Sequence, residues 1–212
     1  MYDDGDVYLE GINDQWERQR VVLRPIYEDQ DAFKPDGEAY MPAMYFGCWW
    51  RDFSAGDALN EDYIPWDVDA LTAALNELRS RFPRTWEDVT ERYLRIFHGV
   101  TDARVRQVEL DRSSWGALVW GFDDRWSDMT GFDTLEPAMD DEADDFLGWL
   151  RGEVQELVLE TWHGDEYGWQ YDDDGGHITV YGYVDPDLLE TWAEHVGGGL
   201  ITDPDLMAVA QQ

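Results

Sequence analysis

Apolar positions recur at two spacings along this chain, and each spacing picks out its own elements. Over 68–81, Leu71, Leu75 and Leu78 lie three to four apart behind Asp67, which predicts a capped amphipathic helix that Pro83 ends. Thr85 and Asp88 then have capping-box spacing for a second helix to Phe97, with Val89, Tyr93, Leu94 and Phe97 on its apolar side. The longest helix is predicted over 141–162, carrying Phe146, Leu150, Val154, Leu157, Val158 and Thr161 along one side. A short fourth helix starts at Pro186, runs through His195 and stops at Gly197-Gly198-Gly199, with His195 a favourable cation near its C-terminus.

Alternating or aromatic runs predict the strands. Residues 20–27 read as one, and 38–53 as one or two buried strands, with a turn at 31–37 around Pro35-Asp36-Gly37. Residues 104–110 and 114–122 pair about Asp111-Arg112-Ser113, and a polar loop fills 123–136. Residues 167–171 and 178–184 form a hairpin about Asp172-Asp173-Asp174-Gly175-Gly176. The expectation is an α+β protein, antiparallel sheet elements packed with about four helices in a single compact domain over 1–200. A tail follows over 201–212, and a subdivision near 121–136 is the alternative.

Composition changes the picture in two ways. The chain holds 12 Trp and 11 Tyr in 212 residues, so large aromatics can supply a core strong enough to hold a self-repelling surface together. That surface is needed, because 48 Asp and Glu face 15 Lys and Arg, a formal charge of −33. Lys34 is the sole lysine, and the second half carries only Arg112, Arg125 and Arg151 as bases. No Lys or Arg follows Arg151, so most carboxylates there are expected to meet solvent or a cationic partner. Direct nucleic-acid binding is excluded by the want of a basic stripe, and an anionic membrane would repel the chain. The N-terminus, Met1-Tyr2-Asp3-Asp4-Gly5-Asp6, has no signal-peptide character, and no apolar run reaches spanning length, so a cytoplasmic protein is expected. Cys48 is alone and reads as a small buried side chain.

Candidate chemistry is thin. Asp172-Asp173-Asp174-Gly175-Gly176 resembles the start of a calcium loop, but the twelfth position from Asp172 is Tyr183 where a glutamate is required. His98, His163, His177 and His195 have no zinc-ligand spacing. His163 and His177 are expected to approach each other across the hairpin, near Asp165 and Glu166. No nucleophile elbow, phosphate-cradling loop or dinucleotide fingerprint is present, so no enzyme, metal or cofactor is expected.

The carboxylates themselves are the remaining candidate site. On the predicted long helix, Asp141, Glu142 and Asp145 sit near the N-terminus, and Glu153, Glu156 and Glu160 continue as an i, i+3, i+7 ridge. Asp165, Glu166, Asp172, Asp173 and Asp174 add to it from the hairpin. Carboxylates three and four apart on a helix lie about 5–6 Å apart at Cβ, and such rows imitate the charge spacing of a phosphate strand. The partner expected is a basic nucleic-acid-binding protein, a nuclease or a restriction or CRISPR-type effector, whose groove the acidic surface blocks. Core packing is the expected role of Trp162, Trp169 and Trp192, and any of them left exposed is a candidate anchor inside that rim. Salt adaptation is the alternative, since Asp outnumbers Glu and Lys is nearly absent, and a virion or assembly component is another.

The run Leu150-Arg151-Gly152-Glu153-Val154, followed by Trp162-His163-Gly164-Asp165-Glu166-Tyr167-Gly168-Trp169, is similar to a pattern in small acidic proteins of tailed phages from high-GC hosts. There a helix runs into a Gly-Asp-Val-Tyr-Gly-Tyr strand, and this chain departs from that at Glu166 and Trp169. The resemblance covers some 30 residues. It implies a phage or mobile-element setting, in which DNA-mimicking inhibitors of host defence are common, and no catalytic residue.

Overall fold

The computed structural model describes residues 5–26, 30–35, 42–49, 51–59, 61–121, 136–171 and 175–204, and among these it has nine strands and four α-helices. The strands form two antiparallel sheets, so the α+β class read from the sequence stands. Two compact units result. One gathers Met1–Phe33 and Gly152–Gln212, and the other is Lys34–Arg151. The loop read at 123–136, and with it most of the alternative boundary, lies outside the described residues.

The first unit is built on β1 (Asp6–Ile12), β2 (Arg18–Pro25), β7 (Val154–Trp162), β8 (Trp169–Tyr171) and β9 (His177–Tyr181). β7 is central, with β2 along one edge and β8 and β9 sharing the other. Val21 and Leu23 of β2, Leu157 and Leu159 of β7, and Val180 of β9 form an apolar face. Helix α4 (Pro186–Val196) lays Leu189, Ala193 and Val196 on it. Its start is set locally, because Asp185 accepts a hydrogen bond from the Asp187 amide and Pro186 takes the first turn, where no N–H is missed. The chain after α4 is still tied at Ile201, whose amide and carbonyl pair with those of Ile12. Residues 205–212 lie outside the described ones.

The long helix expected over 141–162 is not one element. Helix α3 (Glu136–Leu150) ends, the chain turns through Gly152 at a φ of 69°, and residues 154–162 become strand β7. The apolar spacing of Val154, Leu157 and Val158 fits a helix face as well as a strand. What decides it is the pairing of residues 155–161 with β2, which makes this a central strand and buries residues 157–161 in one continuous run.

The second unit places β3 (Ala43–Trp49), β4 (Asp52–Leu59), β5 (Arg104–Glu109) and β6 (Trp115–Trp120) in the order β4-β3-β6-β5. Helices α1 (Val68–Arg81) and α2 (Trp86–Phe97) cover one face with Leu71, Leu75, Trp86 and Leu94 against Phe46, Ala117 and Val119. On the other face Ala143, Phe146 and Leu147 of α3 meet Tyr45, Leu118 and Trp120. Asp67 caps α1 as its spacing predicts, accepting from the Ala70 amide at 2.8 Å. The capping box expected at Thr85 does not form: Thr85 precedes α2 but makes no side-chain cap bond. Gly116 is required by packing, since a Cβ there would stand 2.2 Å from the Phe46 carbonyl oxygen and 2.6 Å from the Tyr45 ring.

Candidate acidic partner-binding surface

Of the carboxylates singled out by spacing, Asp141, Glu142 and Asp145 belong to α3 in the second unit. Glu153, Glu156, Glu160, Asp165 and Glu166 belong to the first. Asp172, Asp173 and Asp174 lie outside the described residues. The eight described residues have three different fates.

Asp141, Glu153, Asp165 and Glu166 are exposed, as a contact residue must be. Glu153 sits in the turn before β7, and Asp165 and Glu166 in the turn that leads from β7 to β8.

Glu156 and Glu160 are captured instead. On β7 they stand directly opposite Arg24 and Arg20 of β2, so the side chains meet on one face of the sheet. Arg20 grips Glu160 at 2.7 Å, and Arg24 lies 3.8 Å from Glu160 and 3.5 Å from Glu156. Glu160 is only 8% exposed. The arginines are held in turn by aromatics: Arg20 lies 4.5 Å over Trp169, Arg24 5.1 Å over Tyr171, and Arg18 spans Trp162 and Trp169 while bridging Glu10 at 2.8 Å. One correction follows. The i, i+3, i+7 ridge of Glu153, Glu156 and Glu160 does not exist, because those residues are not on a helix. Trp162 and Trp169, at 5.3 Å edge to face, pack with this ladder, and Trp192 packs against the α4 core.

Glu142 has the third fate. It is half-buried on α3, and neither carboxylate oxygen touches solvent or a hydrogen-bond partner among the described residues. Burial first, then the charge of Asp145, pushes its carboxyl up to about 8. Asp145 rises to about 6, through partial burial and then Asp141 and Asp144. Much of Asp145 is exposed, so water screens that effect, and Glu142 is the group whose protonation matters. Asp144, beside them, is paired with Arg106.

An acidic helical row does exist elsewhere. Asp187, Glu190 and Glu194 stand at i, i+3 and i+7 on α4, all exposed, with Leu189, Ala193 and Val196 on the opposite, buried side. The spacing was visible in the sequence within a helix correctly predicted. His195, also exposed, ends the same helix as the one base in its last turn, as its position predicted.

Metal chemistry gains no support among the described residues, where no three His, Cys, Asp or Glu side chains group to hold an ion. The hairpin expected over 167–171 and 178–184 does not form, because β8 and β9 each pair with the long central strand β7 instead. His163 and His177 do not converge either: His177 pairs with Val158, so strand register sets His163 five residues further along, roughly 16 Å away. Cys48 is buried and accepts a hydrogen bond from Arg79 at 3.3 Å. No described helix is long and apolar enough to cross a membrane.

Comparison of the chain with protein-family models, with curated proteins and with solved structures finds no match.

Proposed function

We propose that this chain is an inhibitor that blocks the basic nucleic-acid groove of a nuclease or defence complex by standing in for DNA, in the cytoplasm of a host cell. One observation carries the reading: α4 presents Asp187, Glu190 and Glu194 as an exposed row in a segment with no Lys or Arg to neutralise it. The row is fixed, because the other side of α4 is anchored in the sheet core through Leu189, Ala193 and Val196. A fixed row of charge loses little conformational entropy on binding and attracts a cationic groove over long range. Exposed Glu153, Asp165 and Glu166 extend the negative surface of the same unit, in place of the captured Glu156 and Glu160.

A cleavage assay tests this. The parent is titrated into DNA-cleavage reactions of a panel of restriction endonucleases and CRISPR-type effectors at about 50 mM salt. Inhibition of at least one enzyme is expected, weakening as salt rises. The triple variant Asp187→Lys, Glu190→Lys, Glu194→Lys is expected to lose that inhibition with its fold intact. A parent that inhibits nothing in the panel, or a triple variant as potent as the parent, refutes the reading.

Exposed carboxylates are also spread over the second unit, at Asp57, Glu61, Asp62, Asp69 and Asp88. That spread favours a second reading, in which the acidity serves solvation in concentrated salt.

A further inference from the structure

The start of α4 borders an open concavity of about 510 Å³ in the first unit. Its floor is apolar, formed by buried Leu23, Val154 and Leu189, and half-buried Tyr8 stands beside them. Its rim carries exposed Asp6, Glu153 and Tyr183, and no Lys or Arg lines it. Glu190 adds a third negative charge nearby: its field and that of Asp6 reach the Tyr8 hydroxyl, which burial already pushes up. Tyr183 is 88% exposed, so a large aromatic ring waits at the edge of an apolar depression without a side chain to cover it. Bound faces of proteins are built in this way, an aromatic anchor beside a desolvated floor inside a charged rim.

The chemistry of the lining selects its occupant. An apolar floor takes a hydrocarbon stem, tyrosine faces favour a planar cation, and a carboxylate accepts a guanidinium through two parallel hydrogen bonds. A neutral apolar group would leave the carboxylates unmatched, and an anion would be repelled. We propose that the concavity is an anchor site for one arginine side chain of the protein whose groove is blocked. The stem lies on Leu23, Val154 and Leu189 and the guanidinium lies between Asp6 and Glu153. This rests on the inhibitor reading above and adds to the α4 row a single point of close contact.

The probe is a fluorescently labelled nona-arginine peptide, with anisotropy read at about 150 mM salt. Three full-length variants are compared with the parent, each checked for an unchanged melting temperature. Asp6→Asn with Glu153→Gln removes the rim charge, and Tyr183→Ala removes the exposed ring. Glu61→Gln with Asp62→Asn makes the same change in net charge at exposed positions of the second unit, which do not line the concavity. The rim variant is expected to weaken binding roughly tenfold and Tyr183→Ala several-fold, against less than about twofold for the charge-matched control. Equal weakening by rim and control variants overturns the anchor, because the peptide then responds only to the overall field. If that happens while the parent still inhibits cleavage, the inhibitor reading survives alone. A parent that does not bind the peptide overturns the anchor directly, and the cleavage assay then decides the inhibitor reading separately.

Discussion

Glu142 and Glu160 are both carboxylates taken out of water, and they set opposite demands. Glu142 has no partner, so its cost appears when it ionises. Its carboxyl titrates near 8 in the folded protein and near 4.5 when unfolded, so between those values the folded state holds the extra proton and stability falls as pH rises. Glu142→Gln is therefore expected to leave the melting temperature unchanged at pH 4–5 and raise it at pH 8.5. Because part of the residue reaches solvent, the gain is discounted to on the order of 1–2 kcal/mol, a few °C. Equal melting curves at pH 8.5 would show that the carboxyl ionises freely. Glu160 is the reverse case, because Arg20 is buried with it. Glu160→Gln leaves that guanidinium without its counter-charge and is expected to cost about 3–5 kcal/mol in denaturant unfolding, against under about 0.5 kcal/mol for Glu166→Gln in its exposed turn. Neither environment was legible in the sequence. Glu160 finds its arginine 140 residues earlier, a pairing that no local spacing encodes, and Glu142 looks like any helix-N-terminal acid until the core beside it is known.

Elements whose signals are local came through clearly. α1 and α4 are bounded by capping aspartates and a following proline or glycine, and the β5–β6 pair by its Asp111-Arg112-Ser113 turn. Asp111 holds that turn by accepting from the Ser113 and Ser114 amides, bonds that also lower its carboxyl to about 2. β7 failed because a buried central strand and a buried helix face share apolar spacing, and what separates them is the pairing with β2. Close approach between strands was equally hidden. Gly47 and Gly116 pair across β3 and β6, with the Tyr45 ring against both. Gly116→Ala would drive its methyl into the Phe46 carbonyl, a backbone atom that no rotamer change can move aside. It is expected to destabilise by about 2 kcal/mol or more, read as a lowered urea midpoint at unchanged slope. A midpoint within error of the parent would mean that β3 and β6 can separate without loss.

Charge acts on the molecule as a whole. A net −33 in 212 residues opposes compaction, and folding at low salt requires that the three apolar clusters outweigh it. A thermal melt at about 50 mM and at molar KCl, where the screening length falls to about 3 Å, separates the two readings of the acidity. The inhibitor reading expects a cooperative transition already at 50 mM. A chain that is unfolded there and folds only in molar KCl would assign the acidity to solvation. The composition makes the question visible from the sequence, and the α4 row is visible there too, its i, i+3, i+7 spacing lying within the helix predicted from Pro186 to His195.

The first unit draws its sheet from both ends of the chain, and this gives the protein a schedule. β1 and β2 leave the ribosome early, yet the edge of β2 that β7 will occupy must wait for more than a hundred further residues. At about 5–20 residues per second that delay is on the order of ten seconds, long enough for Lys34–Arg151 to form its own sheet first. The acidic row on α4 comes later still. The β2 edge of a nascent chain therefore stays unpaired until residues 154–162 have been made, and α4 finds its sheet complete only after that delay.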